Sequence, residues 1–134
     1  MLVSVGNHRL VLLRHGETEW SRDRKHTSHT DLDLTEQGRE QARLAAITIE
    51  GLGLDNPLVV SSPRRRALAT AELAGLRVDE VLPLLVEWGY GDYEGQTTHD
   101  IRTETPARLL WTHGGPGGGS AGRASMSADQ AVRY

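Results

Sequence analysis

The chain has 134 residues, a length that suits one domain and leaves no room for two. It carries 15 Lys and Arg against 18 Asp and Glu, and this slight acidity argues against a nucleic-acid binder, which would present a basic face. The absence of cysteine excludes disulfides, thiolate metal sites and a cysteine nucleophile. No apolar run approaches the roughly 20 residues that cross a bilayer, and residues 1–10 lack a secretory apolar region, so we expect a cytoplasmic protein without a membrane partner.

Short apolar runs predict three strands, at Arg9–Leu13, Leu58–Val60 and Val78–Leu82. The first is almost continuously apolar, which is typical of a strand buried on both faces. Helical patterns separate and follow these strands. The expected helices run from a Thr35 cap to Gly51, from Ser62-Pro63 to Gly75, and from Thr97 or Thr98, with a restart at Thr105-Pro106, to about Trp111. This alternation predicts an α/β fold of three layers around a mainly parallel sheet.

Residues 113–134 differ in composition from the rest of the chain. They are rich in glycine and serine and show neither a helical nor a strand period of apolar residues. Such a segment buries too little surface to offset the entropy of ordering it. The sequence therefore predicts an α/β domain over residues 1–112, followed by a disordered tail over residues 113–134.

Polar residues follow the first two predicted strands, at the edge where parallel α/β sheets place their chemistry. Arg14 and His15 leave the first strand, and a neutral imidazole can attack phosphorus while an adjacent guanidinium holds phosphate oxygens. After the second strand, the first turn of the next helix brings Arg66 towards the same edge. Arg64 and Arg65 are expected to lie on a solvated basic face.

A third polar element runs from Glu87 to Gly95. Glu87 is followed by Trp88 and Tyr90, and partial desolvation by these rings would raise the pKa of the carboxyl and make it a proton donor. Glu94 in the same segment is the competing candidate.

Four motifs in this order resemble those of the histidine phosphatase superfamily, the phosphoglycerate mutase-like proteins. They are Leu-Arg-His-Gly-Glu-Thr at 13–18, Leu-Thr-x-x-Gly-x-x-Gln-Ala at 34–42, Ser-Ser-Pro-x-x-Arg-Ala at 61–67 and Glu-x-x-x-Gly-x-x-Glu-Gly at 87–95. The resemblance covers about Arg9 to Trp111. It implies a phosphoglycerate mutase-like fold and phosphoryl transfer from a small phosphorylated metabolite.

The resemblance also implies a role for individual residues. His15 corresponds to the nucleophile that becomes phosphorylated, Arg14 and Arg66 to the phosphate-binding arginines, and Glu87 to the proton donor. Ser21 and Thr27 fall where members contact substrate, although Ser21 replaces a common asparagine. No metal and no cofactor are expected, because arginines and a helix end supply the positive charge. A phosphatase and a mutase, in which phospho-His15 returns its phosphate to substrate, both remain open.

The family pattern ends with a second active-site histidine after a late apolar strand, and this feature is not found in the chain. The nearest match, His113 in Thr-His-Gly-Gly, follows Glu87 too closely. We therefore expect a family member that is incomplete at its C-terminus, with an uncovered edge on the first strand and a tendency to self-associate. The alternative function is a non-catalytic fragment that at most binds phosphorylated ligands.

Overall fold

A computed structural model of the chain describes residues 2–5 and 8–104, with side chains from Arg9 onward. In this part of the chain the strands are β1 (Leu2–Val5), β2 (His8–Val11), β3 (Val60–Ser61) and β4 (Glu80–Val81). The helices are α1 (Glu19–Arg22), α2 (Glu36–Gly51), α3 (Arg65–Leu73) and α4 (Thr98–Glu104). Single turns of 3-10 helix lie at Pro83–Leu85 and Gly91–Tyr93. From β2 onward helices separate and follow the strands, with α1 and α2 both between β2 and β3, as is typical of the α/β class.

The described strands form two small sheets. β3 and β4 pair in parallel, with Val60 opposite Glu80 and Ser61 opposite Val81. Helix α3 makes the crossover between them, so the predicted strand–helix–strand unit is confirmed. β1 and β2 form an antiparallel pair, which the sequence did not predict, because β1 lies in a segment that was not assigned to any element.

The prediction that Arg9–Leu13 is a strand buried on both faces is wrong for the described residues. The strand ends at Val11, and the side chains of Leu10, Leu12 and Leu13 are 49%, 57% and 40% exposed. Among the residues that the structure describes, β2 pairs with β1 alone, so its other edge has no neighbouring strand there. An apolar run predicts that a strand needs cover but does not say what provides it.

Helix α2 has the predicted start and end. The hydroxyl of Thr35 accepts a hydrogen bond from the Gly38 N–H at 3.0 Å, and the helix ends at Gly51. Its buried face carries Gly38 and Ala42, and α2 packs against α3.

Helix α3 begins later than predicted. Its cap is Arg64 rather than Ser62, and the Arg64 side chain makes no capping hydrogen bond. The N–H of Arg65 instead donates to the carboxylate of Asp31 at 2.9 Å. The start of this helix is therefore stabilised by a loop more than thirty residues earlier in the chain, which local sequence signals do not reveal.

Helix α4 starts as predicted, with the Thr97 hydroxyl accepting a hydrogen bond from the Asp100 N–H at 3.2 Å. Ile101 of α4 and Tyr93 of the Glu87–Gly95 segment are buried. The end of this segment is fixed to the loop after α1, because the Gly95 N–H donates to the His26 carbonyl at 2.9 Å. The predicted restart at Thr105-Pro106 and the tail over residues 113–134 lie outside the described residues. Within the described part, no helix is both long and apolar enough to span a bilayer.

Candidate active site

His15 lies in the loop that follows β2, and its side chain is half-buried. Its Nδ1 lies 2.7 Å from the carbonyl oxygen of Gly16. A carbonyl only accepts hydrogen bonds, so this contact assigns the proton to Nδ1 and leaves a lone pair on Nε2. Burial lowers the pKa of His15 below its ordinary 6.5, and the charges of Arg66 and Arg14 lower it further against the opposing effects of Gly16 and Glu87. The ring is therefore neutral and oriented at neutral pH.

The loop that carries His15 is fixed to α3 by a buried hydroxyl. The N–H of Gly16 donates to the Thr70 hydroxyl at 3.0 Å, and that hydroxyl donates to the carbonyl of Arg66 at 2.7 Å. Thr70 is 2% exposed, so these hydrogen bonds have no competition from water. These two hydrogen bonds of Thr70 set the position of His15 relative to Arg66.

The same loop also contacts the first turn of α2. A Cβ atom at Gly16 would overlap the backbone of Gly38, and a Cβ atom at Gly38 would overlap the backbone of Glu17. The N–H of Glu17 donates to the Gln41 side chain at 2.9 Å, and its carbonyl accepts from the Thr35 N–H at 2.9 Å. This backbone-to-backbone packing explains why two of the motifs contain glycine.

Arg66 is almost fully buried, with 4% of its surface exposed. Its Nη1 and Nη2 donate to the carbonyls of Thr30 and Ser28 at 3.0 and 3.3 Å. Burial lowers the pKa of Arg66, and the neighbouring charge of Arg64 adds to this effect. A guanidinium has five N–H donors, so these two contacts orient Arg66 and leave other donors for a ligand.

Glu94 positions the Ser28–Thr30 loop, whose carbonyl groups accept hydrogen bonds from Arg66. Its carboxylate accepts hydrogen bonds from the N–H groups of Ser28 and Thr30 at 3.1 and 2.6 Å and from the Ser28 hydroxyl at 3.2 Å. Burial by itself would raise the pKa of Glu94, but hydrogen bonds from Thr30, Ser28 and His29 lower it to about 2. The lowered pKa makes the protonated form of Glu94 rarer than that of an ordinary glutamate, and both of its oxygens already accept hydrogen bonds. These two observations favour a structural role for Glu94.

Glu87 is exposed at the start of its loop, and its charge acts on groups from three other segments. It raises the pKa of His15 and of His26 and acts on Arg66 and Tyr90 in the same direction. The structure thus brings Glu87 into the electrostatic environment of His15 and Arg66.

Two aromatic rings of the Glu87 loop contact each other, but Glu87 itself is exposed, so the expectation that these rings partly desolvate its carboxyl is wrong. Tyr90 lies with its ring centroid 4.7 Å from that of His26 and 6.1 Å from that of Trp88, the latter pair edge to face. The His26 Nε2 is 3.1 Å from the Thr98 hydroxyl. These contacts connect the loop after α1 to the Glu87 loop.

The other predicted site residues occupy different positions. Arg14 is exposed and lines a cavity of about 100 Å³ together with His15, Gly16 and Thr70. The Ser21 hydroxyl accepts from the Thr18 N–H at 2.8 Å and donates to the Thr18 carbonyl at 3.1 Å, which makes it part of the α1 cap. Thr27 donates to the carbonyl of Lys25 at 3.2 Å. Among residues 9–104, no three His, Asp or Glu side chains form a cluster able to hold a metal ion.

Sequence reasoning missed several residues that organise this site. Thr70 fixes the His15 loop, but a threonine within a helix carries no local signal. Glu94 was considered only as a competing proton donor, and its hydrogen bonds to the Ser28–Thr30 loop were not foreseen. Arg64 was expected on a solvated face, and this is wrong. Its side chain is half-buried, and its Nη2 donates to the Nδ1 of His29 at 3.4 Å.

Comparison with known proteins places this arrangement in a family. Residues 10–133 match the sequence profile of the histidine phosphatase superfamily, branch 1. The chain belongs to this superfamily. The match continues beyond Trp111, where the motifs were expected to stop, so the glycine-rich segment falls within the family match.

Individual relatives agree with this assignment. The chain is 55% identical over 130 residues to an acid phosphatase of Mycobacterium tuberculosis, covering 97% of the chain and 64% of that protein. It is 39% identical over 102 residues to a 2,3-bisphosphoglycerate-dependent phosphoglycerate mutase of Lachnoclostridium phytofermentans, covering 75% of the chain and 41% of the mutase. The chain therefore spans less than two thirds of the length of either relative.

A solved structure shows the same fold. It comes from an open reading frame of Mycobacterium tuberculosis, has a TM-score of 0.80 and 58% sequence identity, and covers 84% of this chain and 58% of its own. The α/β fold of the phosphoglycerate mutase-like type, predicted from the motifs, is confirmed by this similarity.

Proposed function

We propose that the chain hydrolyses a small phosphate monoester through a phosphorylated His15. The observation that carries the proposal is the state of His15, a neutral ring held through Nδ1, with the lone pair on Nε2 and with the charges of Arg66 and Arg14 lowering its pKa. This combination provides a nucleophile and positive charge for the phosphoryl group in one place. The names of the acid phosphatase and mutase relatives support phosphoryl transfer.

In the first step, the His15 Nε2 attacks phosphorus in line with the ester oxygen. The N–P bond forms as the P–O bond breaks, and the departing oxygen takes a proton from the Glu87 carboxyl. Arg14 and the free donors of Arg66 hold the other phosphate oxygens and neutralise the charge that develops on them. Ser21 and Thr27 are proposed to contact the rest of the substrate.

In the second step, a water molecule attacks the phosphorus of phospho-His15 and gives its proton to the Glu87 carboxylate. The N–P bond breaks, and inorganic phosphate leaves. Hydrolysis is favoured over mutase chemistry because Arg14 and Glu87 are exposed, and an open site admits water to the intermediate. We place this reaction in the cytoplasm, with a small phosphorylated metabolite as the partner rather than nucleic acid or a membrane.

The second candidate function is binding of phosphorylated ligands without turnover. It is supported by the buried, oriented guanidinium of Arg66 and the exposed Arg14, which can hold a phosphate whether or not an ester bond breaks. His113, the nearest match to the family's second active-site histidine, lies outside the described residues. Loss of one preorganised donor to a transition state lowers a rate by about 10²–10³, so the two candidates differ in turnover rather than in binding.

The test is hydrolysis of p-nitrophenyl phosphate by the wild-type chain, by His15→Ala and by a control, His99→Ala. His99 is an exposed histidine of α4, and its removal is expected to leave turnover unchanged. We expect His15→Ala to abolish turnover and to prevent formation of an acid-labile, alkali-stable phosphoprotein from labelled substrate. Equal rates for wild type and His15→Ala would refute the hydrolase proposal, and protection against heat by inorganic phosphate without turnover would favour the binding function.

The role of Glu87 is tested by the basicity of the leaving group. A p-nitrophenolate ion leaves without protonation, whereas the alkoxide of glycerol 3-phosphate needs a proton. We expect Glu87→Gln to slow the alkyl ester by about 10²–10⁴ and the aryl ester much less. Asp92→Asn, an exposed acid of the same loop, is the control, and an equal loss on both esters in Glu87→Gln would contradict a proton donor at this position.

A further inference from the structure

The hydrogen bond that orients His15 ends on a single peptide group of its own loop. The His15 Nδ1 donates to the carbonyl of Gly16 at 2.7 Å, and the N–H that follows this carbonyl along the chain is that of Glu17. The carbonyl and the N–H therefore belong to one planar unit and point in opposite directions. A group that holds this N–H also sets the direction in which the carbonyl faces the His15 ring.

Gln41 is the residue that holds this N–H. Its Oε1 accepts the hydrogen bond of the Glu17 N–H at 2.9 Å, and the side chain reaches the loop from the second turn of α2. Within residues 9–104 this is the one hydrogen bond that the Glu17 N–H donates. Gly16 has no Cβ to restrict rotation of the peptide that follows it, so the contact from Gln41 fixes an otherwise mobile carbonyl.

The adjacent peptide groups of the loop are held by other residues. The Gly16 N–H donates to the Thr70 hydroxyl at 3.0 Å, and the Glu17 carbonyl accepts from the Thr35 N–H at 2.9 Å. These contacts fix where the loop lies, but each engages a peptide next to the one that faces His15. Gln41 differs from Thr70 and Thr35 because it acts on that peptide itself.

The two hydrogen bonds of this peptide reinforce each other. A peptide whose N–H is bonded has a more strongly accepting carbonyl, because both bonds polarise the amide in the same direction. Burial lowers the pKa of His15, and the bond to the Gly16 carbonyl opposes this effect. The chain of hydrogen bonds from the ring through the peptide to the Gln41 carboxamide therefore links Gln41 to the basicity of His15 as well as to its orientation.

We propose that Gln41 is a positioning residue for His15, which it holds in the Nδ1-protonated form through the Gly16–Glu17 peptide. The importance of this form rests on the proposed function, in which the Nε2 lone pair attacks phosphorus. Gln41 lines the same cavity of about 100 Å³ as His15 and Arg14, but the role needs no contact with substrate. It also gives a physical reason for the glutamine in the motif at 34–42, since the exposed Gln41 side chain adds nothing to the core.

The experiment observes the His15 ring directly. Gln41→Met removes the acceptor but keeps a side chain of similar length and helix propensity, and Gln41→Glu keeps an acceptor at this position. The control is Gln37→Met, the same change at an exposed glutamine one turn earlier on α2. Nitrogen NMR of the imidazole gives the tautomer of the neutral ring, its titration gives the pKa, and circular dichroism verifies the fold of each variant.

We expect the neutral ring to carry its proton on Nδ1 in the wild-type chain. Gln41→Met should reduce the Nδ1-protonated fraction and lower the pKa of His15 by about 0.1–0.6, which corresponds to a charge-assisted hydrogen bond weakened by roughly 10–30%. The charges of Arg66, Arg14 and Glu87 also act on the ring, but Gln41→Met leaves them unchanged. Gln41→Glu should retain the Nδ1-protonated form.

Two results of the NMR measurement would overturn the proposal. One is a tautomer and a pKa of His15 that stay the same in Gln41→Met, and the other is an equal change in Gln37→Met. Hydrolysis of p-nitrophenyl phosphate gives a second readout, in which we expect Gln41→Met to lower kcat about two- to tenfold, the worth of one neutral hydrogen bond, with KM unchanged. A rise in KM alone would indicate contact with substrate and would also overturn the positioning role.

The NMR readout separates this inference from the hydrolase proposal, because it needs no turnover. A wild-type chain that hydrolyses nothing, but whose His15 responds to Gln41→Met, would refute the hydrolase and support the positioning role. Turnover that depends on His15, together with a ring that does not respond to Gln41→Met, would do the opposite.

Discussion

The N–H of Gly16 donates a hydrogen bond to the hydroxyl of Thr70 at 3.0 Å, across 54 residues of sequence. This contact joins the loop of the candidate nucleophile to the helix that carries Arg66. The hydroxyl also donates to the Arg66 carbonyl, so one buried group links both sides of the site. The relative position of His15 and Arg66 thus depends on a threonine that hydrogen-bonds to the backbone of both segments.

Thr70→Val is expected to weaken both stability and activity. The substitution keeps the shape of the side chain but leaves the Gly16 N–H without its acceptor, and an unsatisfied buried donor costs about 1–3 kcal/mol. Urea denaturation and p-nitrophenyl phosphate hydrolysis measure the two effects. Thr70→Ser, which restores the hydroxyl, should recover most of the activity, and an active, fully stable Thr70→Val would show that the hydrogen bond is dispensable.

Two glycines of α2 make a matched pair for the packing of the His15 loop. In Gly38→Ala the new Cβ overlaps the backbone of Glu17, whereas at Gly51 nothing lies within 4 Å. We expect Gly38→Ala to lose at least about 2 kcal/mol of unfolding free energy through overpacking. Gly51→Ala should gain up to about 1 kcal/mol from higher helix propensity. Thermal unfolding of both variants is the measurement, and similar melting temperatures would contradict the close approach of the two segments.

The titration of His15 tests whether the charges act as the structure indicates. The pKa of His15 lies below 6.5 because of burial, with Arg66 and Arg14 lowering it and Glu87 raising it. Removing a nearby positive charge in Arg14→Gln should therefore raise the pKa, and removing the negative charge in Glu87→Gln should lower it. NMR titration of the imidazole gives both shifts without any substrate. Shifts of the same sign in the two variants would contradict the arrangement.

Glu94 predicts how stability changes in acid. Its pKa is about 2 in the folded chain, below the ordinary 4.5. The stabilisation that Glu94 provides is therefore complete above pH 4.5 and is lost as the pH falls through the folded value. We expect Glu94→Gln to be less stable at neutral pH by about 1–3 kcal/mol and to lose less stability than wild type between pH 5 and 2. Melting temperatures of both proteins are measured across this pH range. If they fall in parallel for wild type and Glu94→Gln, Glu94 does not stabilise the Ser28–Thr30 loop as its hydrogen bonds indicate.

Exposed apolar side chains predict self-association. Ile47 on α2 is 68% exposed, and Leu84 beside β4 is 80% exposed, which is unfavourable in water for side chains of this size. We expect concentration-dependent association in sedimentation velocity experiments. Ile47→Lys should shift the population towards monomer, whereas Thr48→Lys, a change at the adjacent exposed polar position, should not. A monomer at all concentrations would contradict this prediction.

The sequence predicted the features that depend on interactions between residues close together in the chain. The Thr35 cap, the Gly51 end of α2 and the start of α4 each depend on neighbouring residues, and each was predicted correctly. The resemblance of four motifs also identified the superfamily, because those motifs preserve the residue types that phosphoryl transfer needs.

What surrounds each residue was decided by the tertiary structure. The sequence placed Arg64 on a solvated face, but the His29 loop folds against it and leaves a half-buried cation. The sequence left Glu87 and Glu94 as competing proton donors. The three hydrogen bonds that Glu94 accepts from Ser28 and Thr30 favour a structural role for Glu94, and they are visible only in the folded chain. Burial, charge compensation and hydrogen-bond partners are set by segments that are distant along the chain, so local residue patterns determine which side chains are available and the fold determines what each can do.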